Sequence, residues 1–328
     1  MRDVTPETHQ LPMIATVQPE PDFISYAQNR EDVVLRRALH DVAGGRYIEV
    51  GANHPVIDSI TRAFYDRGWS GLTIEPAPHY VELQRTQRPR DRAVQAAVTT
   101  RAGETTLHLV PDTGLSTIVD SVSARHADHG IEHTDVTVRT ARLEEILDEV
   151  GWSPKDPVHF MVIDVEGAEA DVLASIDLTV WRPWVLVVES TAPNSTEQTH
   201  LSWEAGVTGA GYEFCLFDGL SRFYVAREHA ARLRTALSYP ACPHDDFVDR
   251  PEAMLKQERE KLTEDVTHWR TLAVGGWAEA VEAASARLVG DQIEQLRAEM
   301  TAMQNTLSWK VTRPLRGVRT LINQVRGQ

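Results

Sequence analysis

A doubly wound α/β domain is the fold class that this sequence predicts, and three observations carry the prediction. Short apolar runs of strand length recur between residues 46 and 225, and segments with helical spacing separate most of them. Strands alternating with helices imply right-handed crossovers and a mostly parallel sheet. The strongest runs end at or next to acids, Glu49, Glu75, Asp164 and Glu189, at the carboxyl ends of strands, where such sheets bind their ligands.

The elements follow in chain order. Residues 1–22 are rich in proline and polar side chains and read as a flexible arm. In residues 28–39 the apolar Val33, Val34, Leu35, Ala38 and Leu39 fall at helical spacing, with Asn29 in position to cap the helix and Asp32 to follow in its first turn. Residues 46–50 form a buried strand that stops at Gly51, and 58–67 a helix that ends at Gly68. Residues 72–75 are the next strand, stopped by Pro76. A short helix over 80–86, a third strand over 93–98 and a fourth over 105–110 come next. Residues 141–150 predict a helix, 158–164 a strongly apolar strand, 168–175 a helix and 184–189 another buried strand. Strands over 213–217 and 222–225 flank Asp218-Gly219 as a hairpin, which places antiparallel strands at one edge. Residues 112–135 and 190–205 read as irregular.

The texture changes near residue 235. The domain proper spans 23–235, 236–251 is a linker rich in proline and acids, and 252–328 is a helical extension. Ile293, Leu296, Met300, Met303 and Leu307 alternate by three and four along that extension, a short heptad seam that either pairs with a second copy or packs on the body. From Thr301 to Gln328 there is no acid, while Lys310, Arg313, Arg316 and Arg319 interleave with Trp309, Val311, Leu315, Val318, Leu321 and Ile322. That pattern suits either a peripheral contact with an anionic membrane or docking on an acidic partner, and Pro314 would interrupt a helix there.

Composition narrows the function. The chain has 328 residues, 42% hydrophobic and 25% charged, with a formal net charge of −15. An acidic protein is a poor general binder of nucleic acid, whose phosphates require basic patches. Only Cys215 and Cys242 are present, so neither a disulfide framework nor a cysteine zinc site is expected, and a reducing cytoplasm is the expected location. The N-terminus lacks the basic start and apolar stretch of a signal peptide.

The strand ends hold the candidate chemistry. Glu49-Val-Gly51-Ala-Asn53 lets the backbone approach a nucleoside-bearing ligand, and Glu49 can hold an amino group. Glu75, followed by Pro76, is placed to accept hydrogen bonds from ribose hydroxyls. The turn Gly51-Ala-Asn-His-Pro55 lacks the G-x-G-x-x-G cradle of a pyrophosphate. A cofactor with an adenosyl group and no phosphate fits better, which describes S-adenosylmethionine. Asp164 and Glu166 follow the most apolar strand, and Glu189 ends its neighbour. Buried acids need partners. Asp164 with Glu189 could ligate a divalent cation such as Mg2+; alternatively Glu166 caps the following helix and Glu169 is solvated. His54 is a candidate general base beside the cofactor turn, with Asp164 and Glu166 as the other catalytic candidates. His126, His129 and His133 either form a metal-binding helical face or belong to a solvated lid.

These residues resemble the FkbM family of methyltransferases. Ser25-Tyr-Ala-Gln-Asn-Arg-Glu-Asp32, Tyr47-Ile-Glu-Val-Gly-Ala-Asn53, Gly68-Trp-Ser-Gly71, Glu75-Pro76, Arg88-Pro-Arg-Asp91, Ile163-Asp-Val-Glu-Gly-Ala-Glu169 and Asp218-Gly-Leu-Ser-Arg-Phe-Tyr224 occur in that family's order, across residues 23–230. The resemblance implies a class I, Rossmann-like methyltransferase fold, S-adenosylmethionine as donor, and a hydroxyl acceptor on a sugar, glycan or related natural product. It would place Glu49, Gly51 and Asn53 at the methionine end, Glu75 at the ribose, and Asp164, Glu166 and Glu189 at the transfer site. Many members have Asp where this chain has Glu49, and Leu-Asn-Arg where it has Leu220-Ser-Arg222. The segment 308–316 is similar to endings of bacterial glycan-modifying enzymes. Two rival readings stand beside this one: a non-catalytic cofactor-binding or scaffold protein of glycan assembly, and an NAD-dependent oxidoreductase.

Overall fold

The computed structural model describes residues 23–111 and 113–311. The expected arm 1–22 and the tail residues beyond 311 lie outside the described residues. In chain order the strands and helices are β1 (Phe23–Ser25), α1 (Glu31–Leu39), β2 (Arg46–Val50), α2 (Arg62–Asp66), β3 (Ser70–Glu75), α3 (Pro78–Gln87), β4 (Arg92–Gln95), β5 (Ala97–Val98), β6 (Gly103–Leu109), α4 (Asp120–Asp128), β7 (Thr134–Ala141), α5 (Leu143–Glu149), β8 (Phe160–Ile163), α6 (Glu169–Ala174) and β9 (Val185–Glu189). They continue with α7 (Glu204–Gly209), β10 (Tyr212–Phe217), β11 (Ser221–Ala226), α8 (Arg227–Leu233), β12 (Phe247–Asp249), α9 (Arg250–Asn305) and α10 (Leu307–Val311).

Seven strands form the main sheet in the order β10-β11-β9-β8-β2-β3-β4. Neighbours from β9 through β4 run parallel, while β11 is antiparallel to both β9 and β10. The sheet is therefore a parallel core with an antiparallel edge hairpin, as the sequence predicted. The chain proceeds outward from β2 to β3 and β4 and later returns to β8 on the other flank. The switch point of the sheet thus falls between β2 and β8, where a crevice must open beyond the strand ends.

Period-two alternation builds the two faces of this sheet. Ile48, Val50, Ile74, Met161, Ile163, Leu186 and Val188 pack with Leu143, Ile146 and Leu147 of α5 and Val172 of α6. Tyr47, Phe160, Val162, Val185 and Val187 face the other way, against Val34, Leu35 and Leu39 of α1, Phe64 of α2 and Leu233 of α8. All are buried to within a few per cent, and each such aliphatic side chain contributes about 1.5–3 kcal/mol relative to exposure. Burial on both faces explains why these strands read as continuous apolar runs.

Several expectations are corrected. Asn29 does not cap α1: its side-chain amide donates to the Asp218 carbonyl, and Arg30 in left-handed conformation precedes the helix. Asp32 instead accepts hydrogen bonds from the Ser25 hydroxyl and the Tyr26 amide. The helix over 58–67 shortens to α2 because Asp58 has φ 55°, which breaks a helical start. The third strand divides at Ala96: β4 belongs to the main sheet, while β5 joins a separate three-stranded sheet, β5-β7-β6. The fourth strand also belongs there, antiparallel to β7. The stretch 112–135 contains α4 and the start of β7 rather than irregular chain, and 190–205 contains the start of α7.

Within the stretch expected as a linker, β12 pairs in parallel with β1, and the compact first unit extends to Ala253. The second unit, Met254–Gln328, is described by α9 and α10. No side chain of α9 is buried. Among the described residues no helix is long and apolar enough to cross a membrane.

Candidate active site

A cavity opens at the switch point and is lined from the ends of β2, β3 and β8, from Ala96–Val98 and from residues 113–118. Its formation begins with a glycine. Gly51 has φ +85°, and a Cβ there would lie 1.6 Å from the carbonyl oxygen of Asp164. Only glycine lets the turns after β2 and β8 approach so closely. The Gly51 amide donates to the Ile74 carbonyl and the Asp164 amide to the Val50 carbonyl, so the ladder runs into the cavity floor.

Side chains then hold the loop after Gly51 in place. Glu75 accepts hydrogen bonds from the Asn53 amide and the Ala77 amide, each at 2.8 Å. The Gln84 side chain donates to the carbonyls of Ala52 and Asn53. Asn53 and Glu166 both lie at positive φ, 41° and 53°. With Asp58, at φ 55° and also lining the cavity, three non-glycine residues are held in this region beside one cavity, the strain that functional sites store.

Behind the cavity floor, Arg88 is fully buried and organises a polar network. Its guanidinium donates to Asp91 at 2.7 Å, to the Tyr47 hydroxyl at 2.9 Å and to the Thr61 hydroxyl at 2.7 Å. Glu49 lies 3.6 Å from the same guanidinium and accepts from Thr61 at 2.6 Å. Burial pushes the Glu49 carboxyl up to about 7, opposed by Arg88 and Thr61. The Arg88-Pro-Arg-Asp91 motif is thus the support of Glu49.

The acids after β8 and β9 have no such support. Asp164, Glu166 and Glu189 bring one oxygen each to within 4.8 Å of one another, and Asp164 and Glu189 share a hydrogen bond. Glu166 Oε2 and Glu189 Oε2 are buried without a partner. Burial first, and then mutual repulsion, drives the Glu166 and Glu189 carboxyls well above the ordinary range. Burial raises Glu75 as well, to about 7. Glu169 is buried, not solvated, and it rather than Glu166 accepts the amide of Gly167 at 2.9 Å. Glu166 is left facing the cavity.

The structure therefore brings together Glu49, Gly51, Asn53, Glu75, Pro76, Asp164 and Glu166 around one cavity. Glu189 is not among the lining residues but is bonded to Asp164, with its oxygen within 4.8 Å of those of Asp164 and Glu166. His54 does not line the cavity. Its Nδ1 accepts the amides of Val56 and Ile57 at 3.1 and 3.0 Å, and burial lowers its pKa. A ring that orders its own turn in this way has its proton on the other nitrogen and is poorly placed as a base. Gln28, Glu31 and Asp58, which the sequence reading did not select, also line the cavity. Glu31 was hidden in the first turn of an amphipathic helix, where an acid is expected for dipole reasons alone.

The fold and site define an α/β enzyme domain with an acid-lined crevice at its switch point. The chain belongs to the FkbM methyltransferase family: the methyltransferase FkbM domain matches residues 49–214. Its activity class is methyl transfer. No protein of curated function matches the sequence. Among solved structures, a TehB-like SAM-dependent methyltransferase from Corynebacterium glutamicum is similar at 10% identity and TM-score 0.34, over 60% of this chain and 87% of that one. The O-methyltransferase from Bacillus cereus in complex with SAH is similar at 11% identity and TM-score 0.33, over 59% and 78%. Aeropyrum pernix fibrillarin with natively bound S-adenosyl-L-methionine is similar at 12% identity and TM-score 0.32, over 60% and 76%. Family membership, not these distant likenesses, identifies the chemistry.

Proposed function

We propose that this protein transfers a methyl group from S-adenosylmethionine to a hydroxyl of a sugar, glycan or related natural product. The observation that carries the reading is the charge of the cavity wall. Glu31, Glu49, Asp58, Glu75, Asp164 and Glu166 line it, and among the described residues no lysine, arginine or histidine does. A pyrophosphate would find no side-chain cation there, whereas a ligand bearing an ammonium and a sulfonium would favour the ionised form of these acids. The partnerless Asn53 Oδ1 and the glycine cradle at Gly51 fit the same group. Gln28, Glu31 and Asp58 offer acceptors to hydroxyl donors, which favours a polyhydroxylated acceptor without phosphate.

When bound, S-adenosylmethionine would supply a methyl group on a sulfonium leaving group that needs no further activation. The chain's own task is to align the acceptor oxygen behind the methyl carbon and to remove its proton. Asp164 and Glu166, both raised by burial, would take that proton once a bound cation or the sulfonium restores their ionised form. Asp164 and Glu189, with Glu166, would hold a divalent cation such as Mg2+, which would lower the hydroxyl pKa. The two partnerless oxygens in this trio support that assignment. Calorimetry with S-adenosylmethionine, S-adenosylhomocysteine and NAD tests the donor. Binding of the two sulfur ligands and not of NAD is expected; binding of NAD alone would overturn the reading. Mass-spectrometric detection of methyl transfer to a panel of glycosides then separates an enzyme from a cofactor-binding scaffold.

A further inference from the structure

A second set of metal-ligating side chains lies on the small three-stranded sheet, apart from the acidic trio. His108 of β6, His133 just before β7 and Asp135 of β7 bring ligand atoms to within 4.8 Å of one another. His108 Nδ1 lies 2.7 Å from Asp135 Oδ1, and its Nε2 lies 3.0 Å from Asp120 Oδ1 at the start of α4. His133 Nε2 lies 3.5 Å from the same Asp135 oxygen. The two imidazoles meet edge to face, 5.0 Å between centroids. The helix ends at Asp128, so His133 pairs with His108 across strands and not with His126 and His129 along a helical face.

Two rings converging on one carboxylate oxygen exceed what a simple ion pair requires. The His108 side chain is 12% exposed, whereas Asp120 and Asp135 are 96% and 61% exposed, so an ion can reach the cluster from solvent. Imidazole nitrogens with carboxylate oxygens suit a borderline cation and not Mg2+. We propose that His108, His133 and Asp135 form a site for a divalent first-row transition ion, Zn2+ in the first instance, with Asp120 adjoining it.

The site is connected to the cavity wall. His108 and Thr117 exchange backbone hydrogen bonds, at 2.9 and 3.3 Å. The Thr117 hydroxyl donates to the Glu166 carbonyl at 2.9 Å. An ion joining β6 to β7 would fix His108, and through its backbone bonds to Thr117 it would clamp the segment 113–118 that lines the cavity. This consequence rests on the methyl-donor reading of the cavity; the metal site itself does not.

Metal-stripped full-length protein titrated with Zn2+ by calorimetry, and with Co2+ by visible absorption, tests the site. With excess Mg2+ present to occupy the Asp164, Glu166 and Glu189 trio, one Zn2+ per chain is expected, with affinity weakened at least ~10-fold in His133→Gln and His108→Gln. Circular dichroism checks each fold, and the partly exposed His133→Gln keeps the test decisive should His108→Gln unfold. Equal Zn2+ affinity in wild type and His133→Gln, or no ion bound by wild type, overturns the proposal. Tighter binding of S-adenosylhomocysteine by the Zn2+-loaded protein is the expected sign of the clamp. Unchanged binding overturns the clamp alone, and no binding in either form tells against the donor reading.

Discussion

Two sets of buried acids flank the switch point, and they are satisfied in opposite ways. Glu49 and Asp91 face the buried guanidinium of Arg88, with Tyr47 and Thr61 completing their hydrogen bonds. Asp164, Glu166 and Glu189 face one another, and two of their oxygens have no partner at all. The first set is complete within the protein. The second is stable only when a proton, a cation or a cationic ligand shares the site. The contrast separates acids that build the cavity from acids that act in it, a distinction that residue type alone does not make.

The largest expected effect breaks the satisfied set. Arg88→Met leaves Glu49 and Asp91 buried without their cation, and removing one partner of a buried pair costs about 3–5 kcal/mol. Urea denaturation should show this loss; a midpoint within error of wild type would mean that the network is not what supports the floor. Next, Asp164→Asn removes charge from the unsatisfied set. Activity should fall by about 10²–10⁴-fold, the usual cost of a lost acid–base group, while thermal stability holds or rises because repulsion is relieved. A variant that loses stability instead would place Asp164 with the structural acids.

The pH dependence sharpens the same comparison. Glu49 and Glu75 titrate near 7 in the fold, raised from the ordinary carboxyl value of 4.5. The folded state therefore binds more protons than the unfolded state between those values, and stability declines as pH rises through that window. The unliganded protein should be more stable near pH 5 than near pH 8, by on the order of 5 kcal/mol for the two groups together. S-adenosylmethionine should flatten the slope. Glu228, lowered to about 2 by Arg182, loses its contribution only at still lower pH, outside this window. The smallest effect concerns His54. His54→Gln should cost less than about tenfold in kcat, short of a lost general base; a hundredfold loss with the turn intact would return the base role to this ring.

Much of the fold was legible because burial on both faces leaves a plain trace. The runs at β2, β3, β8 and β9, and the hairpin at Asp218-Gly219, needed no tertiary information. The small sheet was less legible. Val136 and Val138 alternate with Thr137 and Arg139 in β7, a period-two signal, yet one strand with a solvated face is weak evidence until a partner strand is known. The division of β4 from β5 at Ala96 had no local marker.

By itself the sequence determined the order of the strands of the parallel core and its edge hairpin, the strand-end positions of Glu49, Glu75, Asp164 and Glu189, and the family. Those properties depend on local periodicity and on residue type at turns. Only the tertiary structure decided which acid meets Arg88, which acids meet each other, and that His54 turns back on its own loop while His108 meets His133. Such pairings are set by how separate strands are brought into register, and no property of the separate segments contains that information.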